Sequence, residues 1–111
     1  MEYAITDNGG VKVISLSGRL IEKSQADGLI EEFEQLIADG AGKYMMNLEE
    51  LEYVNSTGLS LLIGMFTQAR NSGGELVIGS ISPKVRKLMV MTKIDSIFRI
   101  YDSMAEAKES F

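Results

Sequence analysis

Two adjacent hydroxyls, Ser56 and Thr57, followed at once by Gly58, are the side chains of this sequence whose types and spacing could do chemistry. They stand between an apolar run, Lys43 to Leu48, that reads as a buried strand and a second one, Leu59 to Phe66, that reads as the opening turns of a helix. A hydroxyl at such a junction can accept a hydrogen bond from the N–H groups that the first turn of a helix leaves unpaired. The same place suits a phosphate, because those N–H groups and the positive end of the helix dipole both point at it. The stretch is either an ordinary cap or a phosphorylation switch.

Other chemistries lack their parts. The chain has no cysteine and no histidine. That removes a disulfide framework, a thiolate metal site, the commonest metal ligand and the usual general base. Gly58-Leu59-Ser60-Leu61-Leu62 begins like the Gly-x-Ser-x-Gly turn of hydrolases and lacks its second glycine, while Gly9-Gly10 and Gly73-Gly74 lack the Lys-Ser/Thr of a phosphate-binding loop. No catalytic residue, cofactor or metal is expected. Glu31, Glu32 and Glu34 read as a solvated face rather than an acid–base pair, since nothing nearby supplies the rest of a catalytic site. A net charge of −5 argues against nucleic acid as a partner. The start, Met1 to Asp7, has no basic segment followed by an apolar one, and no apolar run approaches the length of a membrane span. The expectation is a soluble cytoplasmic protein with no membrane contact.

The elements that must position the hydroxyls follow from periodicity. At 111 residues and 45% hydrophobic content, residues 1–111 are expected to form a single domain with its own core. Tyr3 to Thr6 and Val11 to Ser17, parted by Asp7-Asn8-Gly9-Gly10, read as a β-hairpin. Gly18 to Lys23 reads as a loop leading to Ser24, which with Asp27 resembles a capping box for a first helix. Leu29, Ile30, Phe33, Leu36 and Ile37 recur at helical spacing, and Asp39 to Gly42 should end that helix. Tyr44 to Leu48 fits a central strand covered on both faces. Glu49 to Val54 reads as a short acidic loop, and a second helix should run from Thr57 to Asn71.

Leu59, Leu62, Ile63 and Phe66 form the core face of that second helix. Leu61 and Met65 fall on another face, where they either make a second core contact or join a partner-binding surface. Glu75 to Gly79 reads as a strand, and Ser82-Pro83 opens a third helix with serine as cap. Val85, Leu88 and Met89 supply its inward side and Lys84, Arg86 and Lys87 its wet one, while Met89 and Met91 read as gap-filling core residues. Ile97 to Tyr101 reads as a last strand, and Ser103 with Glu106 caps a terminal helix through Ser110.

Met46-Asn47-Leu48, a short connection, and then Tyr53-Val54-Asn55-Ser56-Thr57-Gly58-Leu59 resemble the signature of anti-sigma factor antagonists, built on the STAS domain. The resemblance extends along the chain through the opening hairpin, Gly18 to Leu20, Gly73-Gly74-Glu75 before a strand and Ile81-Ser82-Pro83 before a helix. It implies an α/β fold, a mixed sheet of about five strands with about four helices in the order β-β-α-β-α-β-α-β-α. It also implies partner switching: the unphosphorylated protein binds an anti-sigma factor that is itself a serine protein kinase, phosphorylation ends binding, and a serine phosphatase restores it. The resemblance places the phosphoacceptor at Ser56, a neighbouring cap at Thr57, and at Gly58 a position that lets the partner approach the backbone. The implied contact surface is Asn55, Ser56, Thr57, Gly58, Leu59 and Leu61, flanked by Gly18, Arg19 and Leu20, on a monomer or weak dimer. Two positions depart from the family pattern, since Asn47 and Asn55 stand where aspartates are common. The rival reading is the same domain used without a phosphate cycle, as a scaffold or small-ligand sensor subunit.

Overall fold

The structure, a computed structural model, describes residues 1–111. The opening hairpin forms with longer arms than the sequence predicts: β1 (Glu2–Asn8) pairs antiparallel with β2 (Val11–Leu20). Gly9 and Gly10 make the turn with φ of +62° and +90°, the left-handed pair that a twisted two-residue connection needs. Asp7 closes it, accepting from the Gly10 N–H at 2.9 Å and from Lys12 Nζ at 2.6 Å. The Lys12 hydrogen bond, with help from the Gly10 amide, holds the Asp7 carboxyl below its ordinary range.

β3 (Lys43–Val54) and β4 (Glu75–Ile81) complete a sheet of order β1-β2-β3-β4 in which β2, β3 and β4 are parallel. Glu49 to Val54, expected as a loop, continues β3, and Gly18 to Leu20, also expected as a loop, continues β2 beside it. The two extensions pair with each other, Gly18 opposite Leu51, Arg19 opposite Tyr53 and Leu20 opposite Val54. Register shifts at Ser15/Ser17 and Gly18/Arg19 break the two-residue alternation, so the pattern Glu-Glu-Leu-Glu does not look like a strand in one dimension. Leu51 and Val54 are nonetheless buried, and the glutamates face water.

Alternation along β3 assigns its residues to two cores. Tyr44, Met46 and Leu48 join the main core with Leu29 and Phe33 of α1 (Asp27–Ala38), Leu59, Leu62 and Met65 of α2 (Ser56–Asn71), and Val85 and Met89 of α3 (Pro83–Met91). Met45 points the other way and meets Val11, Val77 and Ala107 under α4 (Met104–Glu109). A strand covered on both faces is why Tyr44 to Leu48 reads as almost continuously apolar. Burial pushes the Tyr44 phenol up; its oxygen accepts from the Gly42 N–H at 3.2 Å and its ring meets Phe33 edge-on at 5.0 Å. On the second face α4 lies directly on Gly79, where any Cβ would collide with Met104.

Capping explains most of the boundaries. Ser82 Oγ accepts from the Val85 N–H at 3.4 Å and donates to the Leu51 carbonyl at 2.7 Å, and Ser103 Oγ accepts from the Glu106 N–H at 3.1 Å. Ser24 caps nothing, because it lies inside a short 3-10 turn, Lys23–Ala26, that precedes α1. Ile97 to Tyr101 does not extend into a strand: Ile78 donates to the Arg99 carbonyl and Tyr101 to the Ile78 carbonyl, both at 2.9 Å, in a single bridge between Ile78 and Ile100. Met89 is fully buried as expected, but Met91 is 70% exposed, since it lies two residues further round the helix. No helix is long and apolar enough to cross a membrane.

Candidate functional site

The parallel strands deliver their C-terminal ends to one edge of the sheet, and Ser56 stands there as the first residue of α2. Its cap is neither hydroxyl. Asn55, extended at φ −101° and ψ −170°, is the capping residue, and its Oδ1 accepts from the Gly58 N–H at 2.9 Å. Its Nδ2 donates across the sheet edge to the Ile21 carbonyl at 2.9 Å. Val54 before the cap and Leu59 four residues beyond it both lie in the main core, the arrangement of a hydrophobic staple. Thr57, assigned the cap from sequence, is therefore free of that task, and Ser56 and Thr57 are both exposed.

Gly58 is also reassigned. It is buried, and a Cβ there would drive into the Leu20 carbonyl and lie 3.2 Å from Val54 Cβ. Its smallness lets α2 seat against the end of β2; it does not open the backbone to a partner. Leu20 and Leu59, 1% and 6% exposed, belong to the same packing and are corrected from contact residues to the support beneath the surface. Leu61 is half-buried against the main core. Of the expected contact set, Ser56, Thr57 and Arg19 are exposed, and Asn55 and Gly18 are partly so.

Three residues that sequence reasoning did not assign to the site shape this edge. Gln25 Oε1 accepts from the Ile21 and Glu22 N–H groups at 2.9 and 3.0 Å, and its Nε2 donates to the Arg19 carbonyl at 3.1 Å, which fixes the segment beside Asn55. Tyr53 carries two cations over its ring, the Arg19 guanidinium at 5.1 Å and Lys84 Nζ at 5.8 Å from the centroid. The capping role of Asn55 had a signal, since asparagine is among the best capping types and stands directly before the hydroxyls. The meeting of Arg19, Tyr53 and Lys84 had none, because it joins β2, β3 and α3.

The edge thus offers an exposed hydroxyl at the start of a sixteen-residue helix, held by a cap that does not use it, beside a small cationic cluster. Ser60 and Ser56 lie one helical turn apart and both are exposed. The chain has no histidine to activate either. Such a surface can bind a protein or accept a group from one.

Comparison with known proteins gives the family and the fold. The STAS domain family model matches residues 2–107. An anti-sigma F factor antagonist of Paenibacillus polymyxa is 26% identical over 107 residues, covering 96% of this chain and 92% of that protein. An anti-sigma factor antagonist from Mycobacterium paratuberculosis superposes with a TM-score of 0.79 at 24% identity, over 98% of this chain and 92% of that one. The Bacillus cell fate determinant SpoIIAA in its phosphorylated form superposes at 0.76 with 20% identity, over 98% of each chain. Its unphosphorylated form gives 0.73 at the same identity, over 98% of this chain and 96% of that one.

Proposed function

Because the chain belongs to the STAS domain family, we propose that it is an anti-sigma factor antagonist whose binding is switched off by phosphate on Ser56. The partner is an anti-sigma factor that is also a serine protein kinase; capturing it frees the sigma factor, and a serine phosphatase resets the antagonist. The protein itself catalyses nothing in this scheme and works as a regulatory binding subunit. The observation that carries the reading is the exposed Ser56 hydroxyl at the head of α2, left unengaged because Asn55 makes the cap.

The energetics favour a switch over a refolding event. A phosphate adds about −1.5 to −2 charges at neutral pH. Within the domain that charge meets the helix dipole and the first-turn amides of Ser56 and Thr57, which have no intrahelical partner. The Arg19 guanidinium and Lys84 ammonium of the same edge attract it at longer range. In a complex the same charge would be desolvated without a matched partner, at a cost of several kcal/mol, and each 1.4 kcal/mol is about tenfold in affinity. That phosphorylated and unphosphorylated SpoIIAA both share this fold supports a change of binding without a change of architecture.

Incubation with ATP and a purified anti-sigma factor kinase from the same organism, followed by intact mass and peptide mapping, tests the scheme. One phosphate mapped to Ser56, and loss of capture by Ser56→Asp with an unchanged circular dichroism spectrum, are the expected results. Tight capture with no phosphate transferred would convert the protein into a scaffold without a phosphate cycle. Capture by Ser56→Asp as tight as by wild type would remove the electrostatic mechanism.

A further inference from the structure

The end of the sheet opposite Ser56 holds a cleft of about 690 Å³. It opens where β3 and β4 begin, at Lys43 and Glu75, and where α2 ends, at Phe66 and Arg70. Along α2 that end lies about 20 Å from Ser56. The backbone lining the cleft is fixed by hydrogen bonds, from the Glu75 N–H to the Gly42 carbonyl and from the Gly74 N–H to the Ala69 carbonyl, both at 2.8 Å. Gly73 beside them leaves open space where a Cβ would stand.

Two kinds of side chain meet here. Ile97 is one of only three large hydrophobic residues left exposed, at 40%, and Phe66 is half-buried, braced edge-on by Phe98 at 5.3 Å. Lys43, Arg70 and Arg99 line the same cleft, and Glu75 is the one carboxylate side chain among them. Glu75 is already engaged, accepting from Arg99 at 2.6 Å. Lys43 stands opposite Glu75 in the strand register yet makes no ion pair, and Arg70 makes none either. The dipole of α2 gives Arg70 a folding reason, as a cation in the last turn. Lys43 has no such reason.

We propose that this cleft binds a small organic anion, a phosphate or carboxylate carried on an aromatic or short aliphatic body. Lys43 and Arg70 receive the charge, and Ile97 and Phe66 cover the body. Three cations against one carboxylate reverse the sign of a chain that stands at −5, so the cleft is a local well for an anion. Its volume falls within the range of about 300–1,000 Å³ that ligand pockets occupy. A cationic ligand is a poor fit, because Arg99 already holds the only carboxylate that could receive it. A bare inorganic anion would leave Ile97 and Phe66 wet. Nothing in this site draws on Ser56 or its partner, so its fate is separate from that of the phosphate switch.

Titration with phenyl phosphate, followed by backbone amide chemical shifts, tests the site, with inorganic phosphate and phenol as the two halves of the probe. Saturable shifts are expected at Lys43, Gly73 to Leu76 and Ile97 to Arg99, with none at Asn55 to Ser60. Phenyl phosphate should bind at least about tenfold more tightly than either half. Lys43→Gln, Arg70→Gln and Ile97→Ser change exposed side chains, so each should keep the wild-type circular dichroism and lose about fivefold in affinity or more. Absence of saturable binding to wild type overturns the proposal. Equal affinity for inorganic phosphate would reduce the site to an adventitious anion contact, and equal affinity for phenol to an apolar patch; either result overturns it. Wild-type affinity in all three variants, or shifts centred on Arg19, Tyr53 and Lys84, would place the anion elsewhere and overturn it as well.

Discussion

Asn55 makes two hydrogen bonds that an aspartate could not make together: it accepts from the Gly58 amide and donates to the Ile21 carbonyl. The amide that departs from the family pattern is thus a fastener between α2 and the end of β2, and it adds no charge beside Ser56. Gly58 completes the junction by fitting under Leu20, so Gly58→Ala is expected to cost about 1–3 kcal/mol through overpacking, read as a lower midpoint in urea denaturation. An unchanged midpoint would mean that α2 can slide away from β2. The sequence located the Ser56 hydroxyl at the head of the helix, where the structure has it. It misassigned the cap to Thr57, because serine, threonine and asparagine all suit that place and only backbone geometry chooses among them.

At the scale of elements, hydrophobic spacing was enough for α1, α2, α3 and the hairpin, and serine caps located α3 and α4. The acidic stretch Glu49 to Glu52 was not legible as strand, since its bulged register hides the alternation that marks one. The hairpin carries a pH prediction. Asp7 has its carboxyl held below the ordinary range by Lys12 and the Gly10 amide, so the stability it contributes is present above the unfolded carboxylate range and disappears as pH falls through its folded value. Asp7→Asn should therefore be less stable than wild type at neutral pH, and the gap should close on acidification into that range, by thermal denaturation. A gap that persists at the acid end would assign the effect to turn geometry rather than to charge.

For the molecule as a whole, one sheet separates two faces of unequal use. Three helices cover the main core, and α4 closes part of the other face over Gly79. The Ser56 edge draws on β2, β3, α2 and α3 and leaves α4 out. Phosphorylation at Ser56 is accordingly expected to shift amide resonances at Leu20 to Gln25 and Tyr53 to Ser60 and to leave Met104 to Glu109 in place. Shifts carried into α4 would show that the sheet rearranges, and the local switch would then be the wrong mechanism.

The sequence by itself determined the class of fold, the place of the exposed hydroxyl, and the absence of histidine and cysteine chemistry, because composition and short-range periodicity are properties of a chain in one dimension. Only the tertiary structure decided what Gly58 is for, which residue caps α2, and that Arg19, Tyr53 and Lys84 share one edge. Apart from the cap, which the local backbone sets, those are contacts between segments far apart along the chain. They exist because β2 runs past its expected end to pair with β3, which brings Ile21 within reach of Asn55, 34 residues away.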